Sequence, residues 1–180
     1  MIITKQWNNT YFQSNQKRIK IVARYQHKTI SDIIVNEFKF KLEFDTLDSD
    51  ILAIDESYNE SNGSCFWLAE TAVNDHYSNT EQKQKIIGTT AVRNLKQFES
   101  TSELKRMYVL RNFRRLGVGQ KLLDIAIDFA KSIGYSTIVL DSSKMLYAAR
   151  ALYLKSGFVD IPRYNDNYRA DVFMEKKLTW

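Results

Sequence analysis

The sequence has little of what locks a chain or binds a metal. It holds one cysteine, Cys65, and two histidines, His27 and His76. A single thiol forms no internal disulfide. Cys65 opens an apolar strand-like run, which suits a small buried thiol better than a nucleophile. The histidines are isolated and no metal-ligand spacing accompanies them, so no metal is expected. No run of about 18 apolar residues occurs, which excludes a membrane-spanning helix. The first 16 residues contain no continuous apolar stretch of signal-peptide type, so a cytoplasmic location is expected, with a nuclear one left open. No internal repeat appears. No Gly-Lys-Ser/Thr occurs, which excludes a P-loop, and a dinucleotide fingerprint would need glycine where Leu122 stands.

Acid is missing from one end. Residues 1–31 carry Lys5, Lys17, Arg18, Lys20, Arg24 and Lys28 and no Asp or Glu, while the rest of the chain has 20 basic residues against 21 acidic ones. The net charge of +5 therefore belongs to the leading segment, and the body is near neutral. Residues 1–16, polar and without periodicity, read as a solvated basic arm, and residues 17–180 as one domain. Nucleic-acid binding would rest on the arm alone and ranks last among the functions considered. With 180 residues and 44% apolar content there is material for one core.

Periodicity divides the domain. Residues 18–25 alternate apolar and basic, as a half-exposed strand does. Residues 29–44 and 48–58 have helical spacing, and residues 59–64 form a turn. Strands are expected at 65–70, 85–92 and 103–110, with a long polar loop at 71–84. A helix begins at Gly117, with Gly134 as its C-cap glycine. A buried strand at 136–140, a helix at 144–155 and two strands at 158–161 and 171–178 complete the chain. The last two are joined by the polar, aromatic loop 162–170. The order predicts an α+β fold: a mixed central sheet of six to seven strands flanked by about four helices.

The densest chemical signal is residues 110–121, LRNFRRLGVGQK, between a strand and a helix. Gly117 and Gly119 let the chain turn and bring backbone N–H groups close to a ligand. The helix start adds its positive dipole end, which favours phosphate. Arg111, Arg114 and Arg115 add mobile charge. The alternative is a glycine-rich helix start with solvated arginines.

Val109 followed by Arg114, Gly117 and Gly119 as R-x-x-G-x-G resembles the acyl-CoA-binding motif of the GNAT N-acyltransferase superfamily. Residues 103–109 (ELKRMYV) and 140–158 (LDSSKMLYAARALYLKSGF) extend the resemblance to nearly the whole chain. It implies a GNAT-type sheet and acetyl-CoA as co-substrate. Backbone groups of Met107, Tyr108 and Val109 would bind pantetheine. Those of Arg114, Arg115, Leu116, Gly117, Val118, Gly119 and Gln120 would hold the pyrophosphate, and Tyr153 would lie near the thioester sulfur. Leu146 stands where many members of the superfamily have Asn.

Transfer to an amine needs a neutral amine, a polarised carbonyl and a proton for the departing thiolate. Glu103 is the expected base, since strand alternation puts it on one face with Lys105, Met107 and Val109. The alternative is a strand-end Glu paired with Lys105 or Arg106. Tyr153 is the expected proton donor, its alternative being a core aromatic on an amphipathic helix. The N–H of Val109 is the expected oxyanion donor. The acceptor, a small-molecule or peptide amine, would meet loop 163–169, with Glu37, Asp48, Asp50, Asp55 and Tyr164 as candidate contacts. A longer acyl donor, a CoA-binding regulatory domain without transfer and a homodimer stay open.

Overall fold

The computed structural model describes residues 10–14, 17–23, 48–73 and 83–179. The helix expected at 29–44, and Glu37 with it, lie outside the described residues, as do positions 74–82 of the polar loop. In chain order the strands are β1 (Thr10–Ser14), β2 (Lys17–Ala23), β3 (Cys65–Val73), β4 (Lys83–Asn94), β5 (Thr101–Val109), β6 (Thr137–Ser142), β7 (Val159–Asp160) and β8 (Val172–Lys177). The helices are α1 (Ser49–Leu52), α2 (Ile54–Ser57), α3 (Val118–Ile133) and α4 (Tyr147–Lys155). The strands form one sheet in the order β1-β2-β3-β4-β5-β6-β8-β7. Every neighbouring pair is antiparallel except β5 and β6, which run parallel.

The mixed α+β sheet is as the sequence predicts, with one strand more. The addition is β1, which falls in the segment read as a loose arm and pairs residue by residue with β2, Thr10 with Ile21 through Ser14 with Lys17. Five residues with a β-favouring centre (TYFQS) suffice when the neighbouring strand supplies the pairing. The stretch 48–58 is two single-turn helices rather than one. Ala53 has φ −129° and ψ 59°, outside the helical region, and the carboxylates of Asp48 and Asp50 are drawn into a side-chain network described below. The helix expected from Lys144 starts at Tyr147. The Lys144 N–H donates to Asp171 Oδ1 at 2.7 Å and the Leu146 N–H to Ser143 O at 2.9 Å, so residues 143–146 are held as a turn.

Two cores flank the sheet. On one face α3 buries Leu122, Leu123, Ala126, Phe129 and Ala130 against Trp67, Ile87, Val92 and Leu104. This stripe has the i, i+3/i+4 spacing of an amphipathic helix, and each fully buried large side chain contributes roughly 1.5–3 kcal/mol. Trp67 and Phe129 meet edge-on at 5.1 Å. On the other face Ile51, Ile54 and Tyr58 cover Phe66, Leu68 and Ala91. Among the described residues no helix is long and apolar enough to cross a membrane.

Candidate active site

β5 and β6 are paired only over Thr101–Glu103 and Thr137–Val139. Beyond that point β5 stays with β4 to Val109, and β6 stays with β8 to Ser142. The parting strands open a cleft of about 190 Å³. Lys105, Arg106, Met107 and Tyr108 form one wall and Asp141 and Ser142 the other. Leu146, Ala149 and Tyr153 close one side, Asp48, Asn167 and Arg169 another.

The β5 wall is shaped by a bulge. Thr89 pairs with Tyr108 and Ala91 with Lys105, so two residues of β5, Arg106 and Met107, oppose Thr90 alone. Arg106 adopts φ +55°, a region an L-residue keeps only when its surroundings hold it there. Its guanidinium is bound by Asp48 at 2.7 Å and by Asp50, and its carbonyl accepts from Thr89 Oγ1 at 2.6 Å. Asp48 also receives Arg169 at 3.2 Å, and the Tyr58 hydroxyl donates to Asp50. Burial pushes the Asp50 carboxyl up, but the bonds and charge of Arg106 outweigh it and leave the group below its ordinary range. Segment 48–58, the bulge and the last hairpin loop are thus joined at one charged cluster.

The bulge also exchanges faces. Leu104, Met107 and Val109 face the α3 core. Tyr108 packs against the opposite core. Glu103 and Lys105 share its side, where Glu103 meets Arg93. Strict alternation had put Glu103 and Lys105 with Met107 and Val109; the extra residue separates them.

After Val109 the chain turns through a short 3-10 segment, Arg111–Phe113, into α3. Arg115 and Gly117 have φ of +60° and +79°. No side chain caps α3, and at this turn the Lys121 N–H donates to Gly117 O at 3.1 Å. The N–H groups of Val118, Gly119 and Gln120 precede that bond and point out of the helix end, a ready site for an anion. Arg115 is exposed there. Arg114 turns back, its Nε donating to Val109 O at 2.9 Å, so it ties the loop to the end of β5. A Cβ at Gly119 would lie 3.5 Å from Leu152 and 3.8 Å from Met107 and Val109. The protein itself tolerates that atom; a ligand on the same surface would not.

Tyr153 is 5% exposed. Burial, with Tyr108 and Asp141 nearby, pushes its phenol well above the ordinary value. It therefore stays protonated and is a donor, not a base. Tyr108 is a second phenol in the cleft, raised by burial, lowered in part by its bond to Arg106, and close enough to Asp48 and Asp141 to feel both. Asp141, one residue past the apolar run of β6, accepts the amides of Asn165 at 2.6 Å and Asn167 at 3.2 Å, both on Oδ2. Its Oδ1 accepts no hydrogen bond from the described residues.

Glu103 has a different setting. Its side chain is 1% exposed and does not line the cleft. Arg93 binds Oε2 at 2.5 Å, while the Tyr164 hydroxyl at 2.8 Å and Asn165 Nδ2 at 3.4 Å donate to Oε1. The expected acceptor contact Tyr164 is thus the anchor of its loop on Glu103. Asp48 lines the cleft and Asp50 stands behind it. Asp141, which lines the cleft, was not among the candidates drawn from the sequence. The available signal was a carboxylate directly after a buried apolar strand, twelve residues before Tyr153.

Comparison with known proteins agrees with this geometry. The family model described as Acetyltransferase (GNAT) family matches residues 30–158. The probable N-acetyltransferase camello of Xenopus tropicalis is 32% identical over 112 residues, 62% of this chain and 46% of that protein. Human N-acetyltransferase 8 is 32% identical over 113 residues, 63% of this chain and 46% of that protein. The matched part thus spans about half the length of these two relatives. Among solved structures, an acetyltransferase of the GNAT family from Staphylococcus aureus Mu50 has a TM-score of 0.71 at 28% identity, covering 89% of this chain and 99% of that one.

Proposed function

The chain belongs to the GNAT acetyltransferase family, and from that premise we propose that it moves an acetyl group from acetyl-CoA directly to an amine, with Asp141 as base and Tyr153 as acid. The observation that carries the proposal is one cleft holding a protonated phenol and a carboxylate without a cationic partner among the described residues, beside an uncapped helix end. Acetyl-CoA supplies an activated acyl group as a thioester.

The residues fit that co-substrate. The N–H groups of Val118, Gly119 and Gln120, with Arg115, suit a pyrophosphate. The β5 edge at Met107–Val109, freed from β6, suits an extended amide-bearing arm. The free Oδ1 of Asp141 takes the proton of an incoming ammonium, and the Asn165 and Asn167 amides keep the carboxylate turned into the cleft. Tyr153 delivers a proton to the leaving sulfur. Glu103 then supports the site: held by Arg93, it receives Tyr164 and keeps the loop that carries Asn165 and Asn167 in position.

The test is release of free thiol from acetyl-CoA in the presence of an amine panel, repeated with Asp141→Asn and Glu103→Gln over a range of pH. Asp141→Asn is expected to abolish the acidic limb of the pH–rate profile, and Glu103→Gln to leave its midpoint in place. The reverse result would return the base role to Glu103.

A further inference from the structure

We infer that the acceptor is an amine carrying a carboxylate a few atoms from its nitrogen, as an α-amino acid does, and that Lys105 recognises that carboxylate. The inference rests on the transfer reading above and names the substrate class for it. Lys105 lines the cleft with its side chain only 14% exposed. Its ammonium makes no hydrogen bond to any described residue. The nearest anion is Glu103 Oε1 at 4.0 Å, too far for one. That carboxylate is already engaged by Arg93, Tyr164 and Asn165. A largely buried ammonium held only by a 4.0 Å ion pair to an already engaged carboxylate gains from a closer anion.

The other charges in the cleft do not serve. Arg106 is bound by Asp48 and Asp50, and Asp48 also holds Arg169. Asp141 is oriented by two neutral amides and has no cation of its own among the described residues. Among the described residues the groups without a close partner of opposite charge are therefore one anion, Asp141, and one cation, Lys105, which feels Glu103 and Asp50 only at a distance, and both line one cleft. A zwitterion satisfies both: its ammonium meets Asp141 and its carboxylate meets Lys105. A simple monoamine would pair with Asp141 and leave Lys105 idle.

The experiment compares a set of amino acids with their carboxamides as acceptors, rates being expressed per free amine because an amide lowers the basicity of the neighbouring nitrogen. In the wild-type protein the carboxylate form should be favoured roughly ten- to a hundredfold in kcat/KM, the range of a charge-assisted hydrogen bond, mainly through KM. Lys105→Met should bring the ratio of the two forms close to one, whatever its effect on the absolute rates, and Lys105→Arg should retain most of the preference. Equal use of both forms by wild type, or an undiminished preference in Lys105→Met, would overturn the inference and leave acetyl transfer standing. If no amine is acetylated at all, the transfer reading fails. Recognition is then judged by melting temperature with CoA present. A rise with the amino acid that is lost in Lys105→Met upholds the carboxylate site, and equal rises with the carboxamide overturn it. Should Lys105→Met not fold, Lys105→Gln takes its place in both measurements.

Discussion

The two walls of the cleft are built by different means. The wall assigned to acetyl-CoA is backbone: an uncapped helix end, a left-handed glycine at 117 and the free edge of β5. Fifteen consecutive residues, 107–121, hold all of it. The acceptor wall is side chains. Asp48, Lys105, Arg106, Asp141, Asn165, Asn167 and Arg169 come from four separate parts of the chain and meet through ion pairs and amide bonds. Backbone sites are local, because a turn and a helix start are made by neighbours in sequence. Side-chain networks depend on which elements the fold brings together. One family can therefore keep the first wall while the second varies with the acceptor.

The comparison breaks most severely at the reacting centre, where both walls contribute. Tyr153→Phe removes a proton donor and keeps the ring packed on Phe158 at 5.8 Å. Asp141→Asn removes the proposed base. Each should lower kcat roughly 100- to 10,000-fold with acetyl-CoA affinity unchanged, since acid–base groups act in the transition state. Steady-state rates with a measured acetyl-CoA Kd check this. A Tyr153→Phe enzyme with full turnover, under conditions where chemistry is rate-limiting, would remove Tyr153 from the mechanism.

The acceptor wall is next. Arg106→Leu leaves Asp48 and Asp50 buried without their main cation, and breaking a buried pair in this way costs about 3–5 kcal/mol. It also removes the group that holds the φ +55° bulge. Urea unfolding should show the loss, and any folded remainder should have a raised acceptor KM. Acid should mimic the mutation. The Asp50 carboxyl lies below its ordinary range in the folded protein. Its contribution is present above the unfolded value of about 4 and is lost as pH falls through the folded one.

The backbone wall gives a smaller and cleaner effect. Gly119→Val should leave stability close to wild type, because a Cβ there meets only ordinary contacts. Acetyl-CoA affinity should fall by about tenfold or more, as the branched side chain occupies the surface where a pyrophosphate approaches the N–H groups. Calorimetric titration separates the two readouts. Unchanged affinity in a folded variant would make the loop structural.

What the sequence revealed follows the same division. The strand order, the glycine turn into a helix and the place of Tyr153 on a helix beside the cleft were legible, because periodicity and a local motif carry them. Glu103 looked like the base because alternation runs Glu103, Lys105, Met107, Val109. One inserted residue at Arg106–Met107 moves the first two to the other face, and nothing in ELKRMYV announces it. Asp141 looked like any acidic strand end until β5 and β6 were seen to part beside it. Thr10–Ser14 was hidden by a polar surrounding, since its pairing energy comes from β2 and not from its own pattern.

The smallest effect tests the loop that joins the walls. The Tyr164 hydroxyl donates to Glu103 Oε1 at 2.8 Å. Burial, and then the charges of Glu103 and Asp141, push this phenol far above its ordinary value. Tyr164→Phe removes the donor but leaves Arg93 and Asn165 on the carboxylate, so the cost near neutral pH should be about 1 kcal/mol. The sign then changes with pH. A group whose folded pKa is raised contributes fully below its unfolded pKa, about 10 for tyrosine, and that contribution is lost as pH rises toward the folded value. Above pH 10 the unfolded wild-type chain ionises Tyr164 while the folded one does not, at up to roughly 1.4 kcal/mol per pH unit. The Phe variant is free of this penalty. The other raised tyrosines among the described residues, Tyr58, Tyr108, Tyr135 and Tyr153, are common to both proteins and cancel in the difference. Tyr164→Phe should therefore be the less stable protein at pH 7 and the more stable one above about pH 11. Denaturant midpoints of the two proteins, measured in parallel across that range, give the crossing point directly. Curves that stay parallel would mean that Tyr164 ionises in the folded state as it does in water, and that the loop is not anchored on Glu103.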